Sequence, residues 1–152
     1  MARAEKWINE DGLEVDFGPV VRDNGRAGTQ HTYGKIKQIQ VEVEAGNLIS
    51  EGDRQSSKAY FIPAGASVLS ARLVLVTESF DEAIEVGTAE RDGTAIDADG
   101  LIATGTPTAG AVVTGAGALI GTNVAEDSYI IVTATTDEPT AGRATLVVEY
   151  VI

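Results

Sequence analysis

Apolar and polar residues alternate with a period of two in several short segments of this chain. In "RATLVVEYVI", at its C-terminal end, Leu146, Val148 and Tyr150 fall on one face of an extended backbone, while Thr145 and Glu149 fall on the other. Successive side chains of a β-strand point to opposite faces, so this period predicts a half-buried strand rather than a helix. Such strands must cover their apolar faces with one another.

The same alternation recurs in "KIKQIQVEVEAG", "EAIEVGT" and "SYIIVTAT", and turn-forming residues separate the segments. The 17 glycines and the scarcity of aromatic residues, 5% of the chain, favour short strands joined by turns and a core of aliphatic side chains. We count eight or nine strands and no convincing helix. The sequence therefore predicts an all-β protein, a single jelly-roll-like antiparallel β-sandwich with an extended N-terminal arm.

One segment, "SVLSARLVLVT", is apolar in both phases of the alternation. Leu73 and Leu75 lie on one face of the predicted strand, and Val68, Val74 and Val76 lie on the other. We expect this strand to be central and covered on both sides, with another subunit supplying part of the cover.

Two regions differ in composition. Residues 1–34 are polar, rich in glycine turns and mixed in charge, and they predict an extended N-terminal arm with one short strand, "LEVDF". Residues 35–152 contain the remaining strands and predict the β-sandwich domain.

The arm carries candidate contact residues for another protein or a neighbouring subunit: Trp7, Phe17, Arg22 and Arg26. Tryptophan and arginine are enriched where one protein grips another. The alternative is that Trp7, the only tryptophan, packs back onto its own chain.

Charge excludes some partners. The formal net charge is −12, and residues 77–152 hold 13 acidic but only 2 basic residues. Such a surface repels phosphate backbones and anionic lipids, so we expect neither nucleic acid nor membrane as a partner. The charge-free run from Gly100 to Ala125 is too rich in glycine and threonine for a membrane span. The absence of cysteine excludes disulfides and thiolate chemistry.

The stretch "VGTAERDGTAIDADGLIATGT" contains "DADG", which resembles part of a calcium-binding loop. If Asp97 and Asp99 took the third and fifth positions of an EF-type loop, Ala95 and Thr106 would occupy the first and twelfth, where ligands are required. We therefore predict no metal site. Two Asp-Gly pairs, at 92–93 and 99–100, instead predict turns on either side of a short strand.

Other motifs also favour structure over chemistry. "GAGALIG" has the wrong glycine spacing for a dinucleotide fingerprint and predicts a glycine-rich bend. The only histidine, His31, lacks a nucleophile signature, and the carboxylates of "ESFDEAIE" lack the aromatic surroundings of a glycosidase. We predict no catalytic residue, no cofactor and no enzyme.

Several segments resemble the head decoration proteins of tailed phages, also called cement or auxiliary capsid proteins. They are "W-x-x-x-DGL-x-V-x-FG" from Trp7 to Gly18, "IPAGASVLSARLVL", "VGTAERDGTAIDADGLIA", "GAGALIGT", "EDSYIIVT" and the terminal "AGRATLVVEYV". The resemblance covers most of the chain. It implies a jelly-roll homotrimer on the exterior of an icosahedral virion, bound to the major capsid protein at threefold or quasi-threefold positions, where it stabilises the shell. It implies no catalytic residue.

An alternative to this function stays open. A β-sandwich of this kind could be a carbohydrate- or receptor-binding module of a phage fibre or tail, although it lacks an evident aromatic platform.

Overall fold

The computed structural model describes residues 35–45 and 60–152, together with the backbone of strands at 5–8, 14–17, 28–33 and 53–55. These described residues contain no α-helix. Their strands are β1 (Glu5–Ile8), β2 (Glu14–Phe17), β3 (Gly28–Tyr33), β4 (Ile36–Glu44), β5 (Asp53–Gln55), β6 (Phe61–Ile62), β7 (Ser67–Glu78), β8 (Ile84–Ala89), β9 (Ala95–Gly105), β10 (Val113–Thr114), β11 (Ser128–Ala134) and β12 (Arg143–Val151).

Two antiparallel sheets form the body of the fold. Sheet I has the order β10-β7-β12-β4-β3, and sheet II has the order β5-β11-β8-β9, with β6 also paired to β11. Buried side chains from both sheets form one hydrophobic cluster between them. The predicted all-β antiparallel sandwich is confirmed, and its assignment to the jelly-roll class stays a prediction.

The core follows the alternation seen in the sequence. Leu146 of β12 lies opposite Val41 of β4 on one side and opposite Leu73 of β7 on the other. Val148 lies opposite Ile39 in the same way, and both are fully buried. Each such aliphatic side chain contributes about 1.5–3 kcal/mol when it is removed from water. The period of two in β4 and β12 is therefore what places Ile39, Val41, Leu146 and Val148 in one layer.

Strand β7 departs from the expected geometry because two β-bulges interrupt its pairing with β12, one at Leu69 and one that includes Leu75. A bulge inserts extra residues and so reverses which of the following side chains face inward. Val68, Leu73 and Val76 are consequently all buried, whereas Leu75 is 71% exposed. Within the chain β7 is buried on one face only, and the expected cover of its other face by another subunit stays a prediction. Its apolar residues in both phases reflect the bulges.

Strand β11 is buried on both faces. Ile130 and Val132 belong to the core cluster. Tyr129 and Ile131, which point to the opposite face, are also buried, and the ring of Tyr129 packs on Phe61 with centroids 5.5 Å apart. β11 lies inside sheet II, between β8 and the short strands β5 and β6.

The first Asp-Gly pair forms the predicted turn. The Glu90 N–H donates to the Thr94 carbonyl at 2.8 Å, and the Thr94 N–H donates to Oδ1 of Asp92 at 2.9 Å. Gly93 has a φ of +99°, a region that favours glycine. This turn joins β8 to β9.

The second Asp-Gly pair forms no turn, so that prediction is wrong. Asp99 and Gly100 lie inside β9, where the pairing with β8 is irregular. The Gly100 carbonyl accepts a hydrogen bond from the Leu119 N–H at 2.9 Å. A Cβ on Gly100 would lie 2.7 Å from Cδ1 of Leu119, which belongs to the segment that crosses β9. Glycine therefore serves here to let another segment approach closely, and this long-range contact overrides the local turn preference.

Two further pairings fall in the predicted arm. β1 and β2 form their own two-stranded sheet, with Trp7 opposite Val15, which confirms a strand in "LEVDF". β3 pairs along β4 and so forms an edge of sheet I. The domain boundary after residue 34 stays a prediction.

Candidate interaction surface

The connection from β10 to β11 crosses one edge of the sandwich and bonds to both sheets. The Gly115 N–H donates to the Ala71 carbonyl of β7 at 2.7 Å, and the Leu119 N–H donates to the Gly100 carbonyl of β9. A Cβ at Gly117 would collide with the backbone of Gly100. The glycine-rich motif "GAGALIG" thus joins the two sheets, and we call it the seam. It lies along the β7 edge of sheet I.

The outer face of sheet I, which points away from the core, lies between this seam and β3. Its side chains alternate with the buried ones in the paired strands and are mostly half-buried. The members are Ile36, Gln38, Gln40, Glu42 and Glu44 of β4, Thr145, Val147, Glu149 and Val151 of β12, and Ser70, Arg72 and Val74 of β7.

A polar stripe crosses the middle of this face. Glu149 is its centre: its Oε2 accepts from the hydroxyl of Ser70 at 2.9 Å and lies 3.6 Å from the Arg72 guanidinium. Its Oε1 accepts from the amide of Gln38 at 3.3 Å, and Gln38 in turn accepts from Gln40 at 2.9 Å. The stripe links three strands, and its central charges are paired within the chain.

A second charged group closes one end of the face. Arg143 of β12 pairs with Glu44 and with Glu42, whose Oε1 is 3.0 Å from its Nε. The hydrogen bond to Glu44, followed by the charges of both carboxylates, raises the pKa of Arg143 above its ordinary value. Every acidic side chain on β4 and β12 of this face therefore has an arginine partner.

Aliphatic side chains lie on both sides of the stripe. Val113 pairs with Leu73, and the Gly110 N–H donates to the Val76 carbonyl, so Val112 runs beside the Leu75 bulge. Val112 is 62% exposed. We call Val74, Leu75 and Val112 the bulge patch.

At the other end of the face, Ile36 lies opposite Val151 and is 55% exposed. Leu69 is the extra residue of the bulge opposite Glu149 and Tyr150, and it is exposed beside them. We call Ile36, Leu69 and Val151 the terminal patch. Both bulges in β7 thus place a leucine outside the core.

The backbone of Leu75 is strained. Its φ is +48°, the left-handed region, and no other non-glycine residue among those described has a positive φ. That conformation costs an L-residue with a Cβ roughly 1–2 kcal/mol. Strain of this kind persists where the surrounding structure imposes it, and it is frequent at functional positions.

The carboxylates of "ESFDEAIE" serve as structural acceptors. Asp81 accepts from the hydroxyl of Thr140 at 2.5 Å and from the N–H groups of Thr140 and Ala141. The hydroxyl bond to Thr140 is the main cause that lowers the pKa of Asp81 below its ordinary value. Glu85 accepts separately from Thr104 of β9 at 2.8 Å. These carboxylates therefore bind different segments rather than one common centre.

Two cavities accompany these elements. A polar one of about 270 Å³ is lined by Glu44, Glu78 and Arg143, among others. A narrower apolar slot of about 170 Å³ lies between the sheets, where Leu73 and Val113 are among its lining residues. The slot leaves some of the core surface near β10 unpacked.

The residues predicted as contacts in the arm stay a prediction. Trp7 and Phe17 lie on the paired strands β1 and β2, and Arg22 and Arg26 lie outside the described residues. The arginine and tryptophan residues of the arm predicted a contact there, whereas Arg72, Leu75 and Val112 lie on the outer face of sheet I. The available signal was the double-phase apolar pattern of β7.

No group of three or more histidine, aspartate or glutamate side chains in the described part of the chain is placed to hold a metal ion. Within that same part, no helix is long and apolar enough to cross a membrane. Comparison of the chain with protein-family models, curated proteins and solved structures finds no match.

Proposed function

We propose that this protein is a structural virion component, a homotrimeric decoration or cement protein that binds the outside of an icosahedral phage capsid. It would contact the major capsid protein at threefold or quasi-threefold positions and stabilise the shell, without catalysis or a cofactor. The sequence segments that resemble head decoration proteins, from Trp7 to the C-terminal strand, suggest this function.

The observation that carries the proposal is the outer face of sheet I. It combines an internally paired polar stripe with exposed Leu75, Val112 and Ile36. Apolar side chains grouped on a rigid sheet, beside carboxylates that already have arginine partners, are typical of a surface that another protein covers. The seam between the sheets gives the rigid body that a shell clamp requires.

The proposal is tested by adding purified protein to expanded phage heads that lack it. We expect saturable co-sedimentation with the heads and an increased temperature of head disruption, because a clamp across capsomers must be broken before the shell opens. Failure to co-sediment at any protein concentration would refute the proposal.

The arm is tested separately. Deleting residues 1–34 should weaken head binding if Trp7 and its neighbours anchor the protein. The matched control replaces Trp7 alone with alanine. Unchanged binding by both variants would refute the anchor role of the arm and leave the shell-binding proposal intact. The arm deletion also removes β3, an edge strand of sheet I, so thermal unfolding of each variant is recorded first.

A further inference from the structure

The turn that joins β8 to β9 exposes the first Asp-Gly pair to water. Arg91, Asp92 and Thr94 are all exposed. A Cβ at Gly93 would meet no described residue within 4 Å other than its chain neighbours. An aspartate that precedes glycine can react with its own backbone, because glycine has no side chain to hinder the approach of its nitrogen to the carboxyl carbon.

The carboxyl group of Asp92 is folded over the peptide bond that follows it. Its Oδ1 accepts a hydrogen bond from the Thr94 N–H at 2.9 Å. An aspartate that bonds to the backbone two residues on forms an Asx turn, and the turn places Cγ of Asp92 beside the intervening nitrogen of Gly93. The two atoms that would react are therefore neighbours in the folded protein.

Short-range hydrogen bonds hold the Gly93 nitrogen in this turn. Its N–H donates to the Glu90 carbonyl at 3.0 Å, and the Glu90 N–H donates to the Thr94 carbonyl at 2.8 Å. These bonds lie outside the ladder between β8 and β11. Exposed turns open at a much lower free energy than core strands, so the Gly93 nitrogen can be released while the sandwich stays folded.

The second Asp-Gly pair has the same two residues in a different setting. Gly100 is buried, and its carbonyl accepts from the Leu119 N–H at 2.9 Å. Cδ1 of Leu119 lies against the position that a Cβ of Gly100 would take. The seam therefore covers this pair, and a rearrangement of its backbone requires the seam to separate from β9.

We propose that Asp92–Gly93 is a site of spontaneous backbone isomerisation to isoaspartate, and that the seam protects Asp99–Gly100 from the same reaction. The Gly93 nitrogen attacks Cγ of Asp92. The N–Cγ bond forms, and one carboxyl oxygen leaves as water with the protons of the N–H and of the carboxyl group. This inference goes beyond the proposed function and does not depend on it.

Water then opens the cyclic imide that has formed. It adds to one of the two carbonyl carbons, and the bond from that carbon to the Gly93 nitrogen breaks. When the carbon is the backbone carbonyl of Asp92, the chain continues through Cγ and gains one methylene group. The reaction consumes and releases only water.

The product alters the turn and leaves the sandwich in place. The added methylene group changes the spacing between Glu90 and Gly93, whose hydrogen bond closes the turn. The ladder of β8 with β11 and the core cluster lie outside this turn. Isomerised chains should therefore stay folded and accumulate as the protein ages.

Peptide mapping of aged protein tests the proposal. The full chain is held for several weeks at physiological temperature, folded or in urea, and is then digested with thermolysin, which cleaves between the two pairs before Ile96. Mass spectrometry with electron-transfer fragmentation distinguishes isoaspartate from aspartate. In the folded protein Asp92 should isomerise about ten-fold faster than Asp99, since that ratio requires a difference of only about 1.4 kcal/mol in opening free energy.

Urea supplies the first control, because the unfolded chain offers the two pairs without protection. Both should then isomerise at similar rates. Deamidation at Asn24–Gly25, which lies outside the described residues, is recognised by its increase in mass, whereas isomerisation leaves the mass unchanged.

Two variants supply the second control. Asp92→Glu keeps the charge but disfavours ring closure, so it should abolish the isomer in this turn, whereas Asp99→Glu should leave the rate at Asp92 unchanged. Equal rates at Asp92 and Asp99 in the folded protein would overturn the inference. So would the absence of isoaspartate at Asp92 in folded protein under conditions in which the urea-unfolded chain forms it.

Discussion

Replacing Leu75 by glycine should stabilise the monomer or leave it unchanged, which is unusual for a glycine substitution within a strand. Leu75 has a φ of +48° and is 71% exposed. Relief of the left-handed backbone recovers roughly 1–2 kcal/mol. The greater freedom of glycine in the unfolded chain costs about 0.5–1 kcal/mol. The expected net gain is about 0.5 kcal/mol, since the exposed side chain gives up little buried area.

The matched control is Thr77→Gly. Thr77 is an exposed residue of the same strand, and it has no positive φ to relieve. It should therefore lose about 1 kcal/mol from the same entropic cost and from its lost strand preference. The two variants should differ by roughly 1.5 kcal/mol, or about 3–6 °C in Tm for a domain of this size.

Thermal and urea unfolding should be measured over a range of protein concentrations. Self-association stabilises the folded state by mass action and would obscure the comparison at high concentration. Extrapolation to the dilute limit isolates the monomer. If Leu75→Gly lowers the free energy of unfolding as much as Thr77→Gly does, the backbone of Leu75 is not strained and the reasoning fails.

Three other predictions concern the seam, the Asp81 carboxylate and the slot. Gly117→Ala should destabilise the fold by about 1–3 kcal/mol because its methyl group meets the facing backbone of β9, whereas Gly105→Ala, with nearly open space, should be close to neutral in urea unfolding. The pKa of Asp81 is lower in the folded protein than in the unfolded chain, where it is about 4. The stability that Asp81 contributes is therefore present above about pH 4 and is lost as the pH falls through the lower folded pKa. Asp81→Asn should remove this dependence and flatten the acid side of a plot of Tm against pH. Val113→Ile should fill part of the apolar slot and add about 0.8 kcal/mol, whereas Val132→Ile, in the closed core, should cost about 1–3 kcal/mol by calorimetry; equal effects would contradict the slot.

The sheets could be predicted where sequence period and strand geometry agree. Most apolar residues of β4 and β12 fall in the inner phase, and their charged or amide residues other than Lys37, such as Gln40 and Glu149, fall on the outer face. Burial decides such strands because a slip of one residue would place Glu149 in the core. The turn at Gly93 was predictable for a different reason, because it depends only on the local backbone conformation.

Long-range contacts determine the features of the fold that the sequence did not predict. Asp99 and Gly100 have strong turn preferences, but the crossing seam binds the Gly100 carbonyl and holds the pair in β9. No glycine or proline in β7 indicates the bulges at Leu69 and Leu75. An apolar pattern in both phases is compatible with a doubly covered strand and with a bulged strand. Only the pairing partner β12 distinguishes them, and its own strict alternation does not reveal how β7 is shifted against it.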